Sequence, residues 1–338
     1  MGRNVGGGAG AGLAAAGLHD FFVCGVFDAA LKDDLASMEH PLFSLSTRPD
    51  LRVRIYDHNG TRVTVTPSVR GRATIHDKDI LIYCVSQLMA ALNAGRAITR
   101  RLRLTAHDLL VATRRDTGGD SYARLTAAFE RLSGTRITTN IAQGGIETTS
   151  GFGLIESWEI VRRSRGGRMV SVAVTLSDWL FRAVTARAVL TLSREYFGLR
   201  KPLERRVYEL VRKHCGQQRE WRIGLATLQH KCGSDAPIRV FRAAIRRTIA
   251  EAGLPDYRLD EEPGDIIRVT RATLIDEAET GVPLFGAATV ERLREIAPGW
   301  DAYGLMAEWE GFWRQTGRPA LRRPEAALIA WVRGRIAR

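Results

Sequence analysis

The stretch that decides the fold runs from Pro237 to Ala252, P-I-R-V-F-R-A-A-I-R-R-T-I-A-E-A. At the helical period, Phe241, Ile245 and Ile249 fall on one side, while Arg239, Arg242, Arg246 and Arg247 crowd the other. One apolar face and one arginine face, in a basic protein, is the pattern of a helix that reads the DNA major groove. The alternative is a surface helix whose arginines are only solvated. The neighbouring segments decide between them.

Upstream, Ala226 to Cys232 reads as a short helix and Gly233-Ser-Asp-Ala as a turn. Before these come a helix from Pro202 to Cys215, stopped by Gly216, and a brief strand at Trp221-Arg-Ile. Downstream, Tyr257-Arg-Leu and Ile266 to Thr270 read as a hairpin around Glu261-Glu-Pro-Gly-Asp265. Short helix, turn, long helix and hairpin is the order of a winged helix-turn-helix. In such a unit Arg239 and Arg242 sit early, where base contact is expected, and Arg246 and Arg247 sit later, nearer phosphates.

The first half follows the same plan without evident sequence identity. A hairpin is expected around Asp57-His-Asn-Gly60, then a helix from Asp77 to Asn93 with Ile80, Leu81, Cys84, Leu88 and Leu92 on one face. A short helix from Thr105 to Thr113 leads through a glycine turn to a second helix, Ser121 to Leu132, with Leu125, Ala128, Phe129 and Leu132 inward. Strands follow at 136–141, 154–163 and 169–176, while the Gly-rich run 144–153 reads as a loop. The candidate DNA contacts here are Ser121, Tyr122, Arg124 and Arg131. The turn carrying Arg162, Arg163, Arg165 and Arg168 is a candidate wing. Ser121 can equally serve as a plain N-cap, and a charged hairpin tip can serve solubility alone.

Composition supports a polyanionic partner. The 338-residue chain has a formal net charge of +13, unevenly placed. Residues 1–40 hold 2 basic and 5 acidic side chains and residues 276–338 hold 9 of each, so the whole excess lies in between. Of the 50 basic residues 45 are arginine, which suits forked contacts to phosphate and guanine, although a G·C-rich genome would give the same excess. Four cysteines without framework spacing imply a reducing compartment. His214-Cys215 and His230-x-Cys232 could in principle meet at zinc, but adjacent His-Cys is poor ligand geometry and no CxxC is present, so neither metal nor cofactor is expected. The short apolar patch from Phe21 to Phe27 is cut short by His19, Asp20 and Asp28, which argues against a signal peptide or membrane span and for a cytoplasmic protein.

Enzyme signatures are missing. There is no GxxxxGK[ST] loop for ATP, no His-x-His pair for a nicking metal and no His-x-x-Arg box of a tyrosine recombinase. Pro255-Asp256 lacks a following lysine that would complete a nuclease motif. The expected activity is binding, not bond chemistry.

The expected architecture is α+β: two tandem winged helix-turn-helix domains followed by a small helical C-terminal module. A Gly/Ala-rich leader occupies 1–20, the first domain 21–190, the second 191–275, a linker 276–283 and a Trp-rich module 284–338. In that module Leu305, Trp309, Phe312 and Trp313 fall at helical spacing, read as a core stripe over a docking face.

Several segments carry a family likeness. His40-Pro-Leu-Phe-Ser-Leu-Ser, Ile80-Leu-Ile-Tyr-Cys followed by Ala97-Ile, the block from Leu192 through Arg200-Lys-Pro-Leu-Glu-Arg-Arg to Gly216, and Ala297-Pro-Gly-Trp-Asp-Ala-Tyr-Gly-Leu305 together resemble the replication initiator protein A family. These are RepA-type plasmid initiators of alphaproteobacteria and their relatives. The likeness covers roughly residues 20–275, and the Arg-Lys-Pro-Leu-Glu-Arg-Arg block is its most specific part. It implies an initiator that binds repeated double-stranded sites in a plasmid origin. It also implies recruitment of the host initiator DnaA and the replicative helicase, and a homodimer that represses its own gene. A winged-helix transcriptional regulator without an initiator role, a metal-dependent nicking enzyme and a protein-interaction scaffold are the rival readings.

Overall fold

Strand, helix, helix and hairpin recur twice along the chain, each time closing a three-stranded antiparallel sheet in the same order. The computed structural model describes residues 30–58, 61–143, 146–162, 169–216, 218–272, 285, 287–298, 300–317, 321 and 324–337. The leader and the linker expected at 276–283 lie outside them, as do Arg163, Arg165 and Arg168.

In the first unit, β4 (Arg101–Thr105), α3 (Ala106–Ala112), α4 (Gly119–Gly134), β7 (Ile155–Arg162) and β8 (Met169–Leu176) follow in order, and the sheet runs β4-β8-β7. In the second, β10 (Glu220–Gly224), α7 (Leu225–Cys232), α8 (Ile238–Ala250), β11 (Tyr257–Glu262) and β12 (Ile266–Arg271) give β10-β12-β11. The architecture is thus mixed α/β. Each unit has a long helix ahead of it, α2 (Lys78–Asn93) and α6 (Pro202–His214). The first unit also carries a four-stranded sheet, β2-β3-β5-β6, built from Arg54–His58, Thr61–Thr66, Arg136–Gln143 and Ile146–Gly153.

The last of these strands corrects the expected loop at 144–153. Residues 146–153 pair antiparallel with β5 from Gln143↔Ile146 to Arg136↔Gly153. Threonines and Phe152 supply strand-compatible positions that the glycines masked in the sequence. Further elements complete the body: β1 (Lys32–Asp34), α1 (Leu35–Glu39), α5 (Asp178–Thr185) and β9 (Val189–Thr191), with β1 paired to β9.

Three apolar cores follow the periodicities. The first gathers Ile80, Leu81, Cys84 and Leu88 of α2 with Leu125, Phe129 and Leu132 of α4 and Val172 and Val174 of β8. The second packs Val207, Tyr208 and Val211 of α6 against Leu228 of α7, Phe241 and Ile245 of α8, and Val269. Ile82 of α2 and Met38 of α1 belong to this second core. Helix α2 is therefore buried on nearly every side, not on one face, because it serves both lobes. The third core lies in α9 (Ala287–Ile296), α10 (Ala302–Gln315) and α11 (Pro324–Ile336). There Leu305, Trp309 and Trp313 are buried as the stripe predicts, whereas Phe312 is 47% exposed.

Five charges of the family-like block, Glu204, Arg205, Arg206, Glu209 and Arg212, are buried too, and each has a partner. Arg206 gives its guanidinium to the carbonyls of Met38 (3.0 Å), Glu39 (3.0 Å) and Lys231 (2.8 Å). Arg205 pairs with Asp79 of α2 and donates to the Leu199 carbonyl at 2.7 Å. Fully buried Lys78 reaches Asp33 at 2.6 Å and Glu209 at 3.0 Å. These bonds fasten α6 to α1 and α2.

Candidate nucleic-acid interface

Helix α8 starts after Pro237, which cannot donate a backbone hydrogen bond and fits a helix start. Gly233 ends α7 in the left-handed region (φ +68°), and a Cβ there would lie 2.6 Å from Pro41 Cβ. A turn this tight needs glycine. Asp235 in the same turn pairs with Arg52 (3.2 Å) and with Arg54, so α8 enters at a fixed angle.

Phe241, Ile245 and Thr248 are buried, as a helix packed by one face requires. On the other side Arg239, Arg246 and Arg247 are exposed and Arg242 is half-buried. The hairpin behind them is acidic. Arg242 Nη2 lies 2.6 Å from Asp265, and Arg246 forks onto Glu261 at 2.6 and 3.0 Å. Hydrogen bonding from Arg246 holds the Glu261 carboxyl below the usual carboxylate range. Arg239 and Arg247 have no acidic partner among the described residues. Beside Arg239 the first turn exposes Ile238 and Val240. The outward face of α8 thus offers two unpaired cations and two apolar side chains.

Helix α4 is arranged differently. Its N-cap is Gly118, without a side-chain cap bond, so Ser121 is not the cap. Ser121 is buried in the first turn, where its hydroxyl accepts from Arg124 at 3.1 Å. Arg131 forks onto Asp77, both contacts 2.7 Å, and Asp77 also accepts from the Thr74 amide. Tyr122 is half-buried against the first core, and Arg162 is exposed at the end of β7.

Arg124 and Arg131 open onto a cleft of about 510 Å³ that the sequence did not single out. Nine arginines line it, among them Arg48, Arg72, Arg200 and Arg205, against three aspartates, Asp77, Asp79 and Asp116. Its residues are spread from 46 to 205, so no local pattern marks them; only the basic excess of the body hinted at them. On its rim Arg114 adopts φ +53° and forks onto Glu195 at 2.7 and 2.9 Å, joining the α3–α4 turn to the approach to α6.

The two histidines of the His/Cys pairs have other partners. The His214 ring stacks on Trp221 and lies 3.1 Å from Glu39, while His230 packs edge-on to Tyr56. Burial pushes the Cys215 thiol up to about 11 and Cys232 up to about 12. Among the described residues no group of three or more His, Cys, Asp or Glu could hold a metal ion. No described helix is long and apolar enough to cross a membrane.

Comparison with known proteins fits this organisation. Domains 2 and 3 of RctB superpose with a TM-score of 0.52 at 12% identity, covering 70% of this chain and 96% of that one, a likeness of fold. A second structure of the same domains gives 0.49 at 14% identity, covering 72% and 99%. A Wigglesworthia glossinidia brevipalpis protein named "Putative replication protein" is 35% identical over 246 residues, 72% of this chain and 89% of its own length. The family described as Replication initiator protein A matches residues 32–259, from β1 into β11, and the chain belongs to that family.

Proposed function

We propose that this protein initiates plasmid replication by binding repeated duplex sites at an origin, without bond chemistry, through two winged helix units. The units are residues 21–190 and 191–275, with the Trp-rich module 284–338 appended. The observation that carries this reading is the repeated topology, β4-β8-β7 and β10-β12-β11, with α4 and α8 each preceding its hairpin. In that arrangement the second helix is the one that enters the major groove.

Arg239 is the proposed base reader of α8, and Arg247 a phosphate contact. Arg242 and Arg246 join once DNA draws them from Asp265 and Glu261, because exposed ion pairs hold weakly. In the first unit Tyr122 and Arg124 are proposed near the DNA, with Ser121 and Arg131 shaping the helix start and its seat. Arg162, Arg163, Arg165 and Arg168 are proposed as the wing. Two reading helices imply a site of about 20 bp.

The family reading extends to recruitment of DnaA and the replicative helicase in the cytoplasm, and to a homodimer in autorepression. Ile55 on the edge strand β2, with Leu51 and Val53 in the segment just before it, all exposed, are a surface suited to a second copy. Footprinting on DNA flanking the gene tests the core claim: repeats of about 20 bp should be protected. A replicon that persists after deletion of the gene would instead leave a transcriptional regulator.

A further inference from the structure

We propose that the arginine cleft beside α4 binds a free oligophosphate, of the nucleoside di- or triphosphate class. Its cations are of one kind: nine arginines and no lysine line it, and guanidinium forks match phosphate oxygens two at a time. Most of these arginines are already held by carboxylates. Arg48, Arg124 and Arg200 are exposed and have no carboxylate partner among the described residues. A fourth group is unsatisfied inside the wall: Arg72 is 2% exposed, pairs with Asp50 at 3.3 Å, and its Nε lacks any partner. A buried N–H without an acceptor is costly, and a phosphoryl oxygen is the acceptor such a wall lacks.

Shape and charge select the ligand. A backbone phosphodiester carries one charge and two free oxygens, is flanked by sugars, and belongs to a rod too broad to reach guanidinium groups as buried as Arg72 and Arg205. A terminal di- or triphosphate is slim and carries several charges, matching the three exposed arginines of the lining that no described carboxylate holds. At about 510 Å³ the cleft is also within the range of small-molecule sites. The walls come from the α3–α4 segment on one side and from Phe197, Arg200 and Arg205 on the other, so an occupant would tie the first lobe to the start of the second.

This goes beyond the initiator reading and is tested without DNA. The full chain is titrated calorimetrically with inorganic tripolyphosphate and with ATP at low salt. The expected result is saturable one-to-one binding of tripolyphosphate, displaced by ATP. Binding should weaken at least fivefold in Arg48→Ala/Arg124→Ala/Arg200→Ala and by less than twofold in Arg239→Ala/Arg247→Ala. Phosphorus NMR line-broadening of tripolyphosphate by the wild-type chain gives a second readout should the triple variant misfold. Absence of binding by the wild type overturns the proposal, as does triple-variant binding weakened less than fivefold. A cleft that takes no free oligophosphate while the triple variant loses duplex binding is a backbone seat, and this also overturns it. Failure of the initiator reading shows separately, as loss of footprints with the tripolyphosphate titration intact.

Discussion

Arg246 on α8 and Glu261 on β11 face each other in a two-pronged ion pair, with Nε and Nη2 2.6 and 3.0 Å from the two carboxylate oxygens. One turn earlier Arg242 makes the equivalent contact with Asp265 at the hairpin tip. The second unit therefore neutralises half of its own arginine face. On the proposed reading, both arginines would have to exchange a carboxylate for a phosphate to hold DNA, which would lower affinity for any duplex that does not also satisfy Arg239. The double substitution Glu261→Gln/Asp265→Asn should tighten binding to random-sequence duplex. It should also steepen the salt dependence by up to about two units of log–log slope, at roughly 0.9 per phosphate contact. Fluorescence anisotropy across a salt series measures both. An unchanged slope would mean these arginines never reach the backbone.

The same pairing ranks the arginines. On the proposed reading Arg239 would meet DNA without breaking an ion pair to any described residue, and it sits in the first turn between exposed Ile238 and Val240. Arg239→Ala should weaken specific binding by about 1–3 kcal/mol, the worth of a good base contact. Arg242→Ala should cost less, because removing Arg242 also removes an internal pair that DNA binding has to break. Comparing the two on the footprinted site decides the order. Equal losses would return both residues to the same role.

Beneath the surface, the ammonium of Lys78 serves two carboxylates, Asp33 at 2.6 Å and Glu209 at 3.0 Å, and all three side chains are buried. Glu209 is also held by the Tyr196 hydroxyl (2.7 Å) and Arg206 (3.2 Å). Lys78→Met would leave Asp33 without its cation and Glu209 with the cation of Arg206 alone. Breaking a buried pair in this way destabilises by about 3–5 kcal/mol. Urea unfolding should show that loss, while Arg239→Ala, on the surface, should unfold like the wild type.

Sharing one ammonium also has a pH signature. Burial pushes Asp33 up to about 8, against the pull of Lys78, and the nearby Glu209 and Asp34 carboxylates add to the rise. Since the folded value lies above the ordinary one, the protonated form is favoured by folding. Asp33's contribution to stability is therefore full below the ordinary value of 3.8, declines as pH rises from there, and is gone above about 8. Thermal midpoints should fall as pH rises from about 4 to about 8 in the wild type and level off above that, and Asp33→Asn, which cannot ionise, should flatten that slope. A slope that survives the substitution would assign the titration elsewhere.

Helix α8 was legible in the sequence because one period governs it: Phe241 and Ile245 had to go inward, which sent the arginines outward. What those arginines meet was not legible, since Glu261 and Asp265 are 15 and 23 residues away and reach them only through the hairpin fold. The family-like block hid its role for a related reason. Arg205, Arg206 and Glu209 look like part of a solvated face, yet they are buried because carbonyls of α1 and the Asp79 carboxylate and Lys78 ammonium of α2, more than a hundred residues earlier, receive them. The arginine cleft likewise draws on four separate stretches of chain, and charge composition alone records only their sum. Strand 146–153 was missed because Gly151 and Gly153 outweighed Thr148, Thr149 and Phe152.

The Trp-rich module offers the last test. Asp301, the N-cap of α10, is almost wholly buried against β1 and β9. It accepts from the Thr191 amide (3.2 Å) and hydroxyl and lies 3.4 Å from Lys32 Nζ. Burial raises its carboxyl, but Lys32 and Arg212 outweigh that and hold it below the ordinary range. Nearby, the Arg212 guanidinium lies over Tyr303 and Arg187 over Trp300. Asp301→Ala removes the N-cap and strands Lys32, an effect of about 1–3 kcal/mol on docking. Trp300, released from beneath Arg187, should then report a shifted emission, and the module should melt ahead of the body. Specific duplex binding should stay within twofold of wild type, because α4 and α8 belong to other cores. If DNA affinity falls together with the emission change, the module is coupled to the reading helices through β1 and β9, and its docking is part of how the protein holds its site.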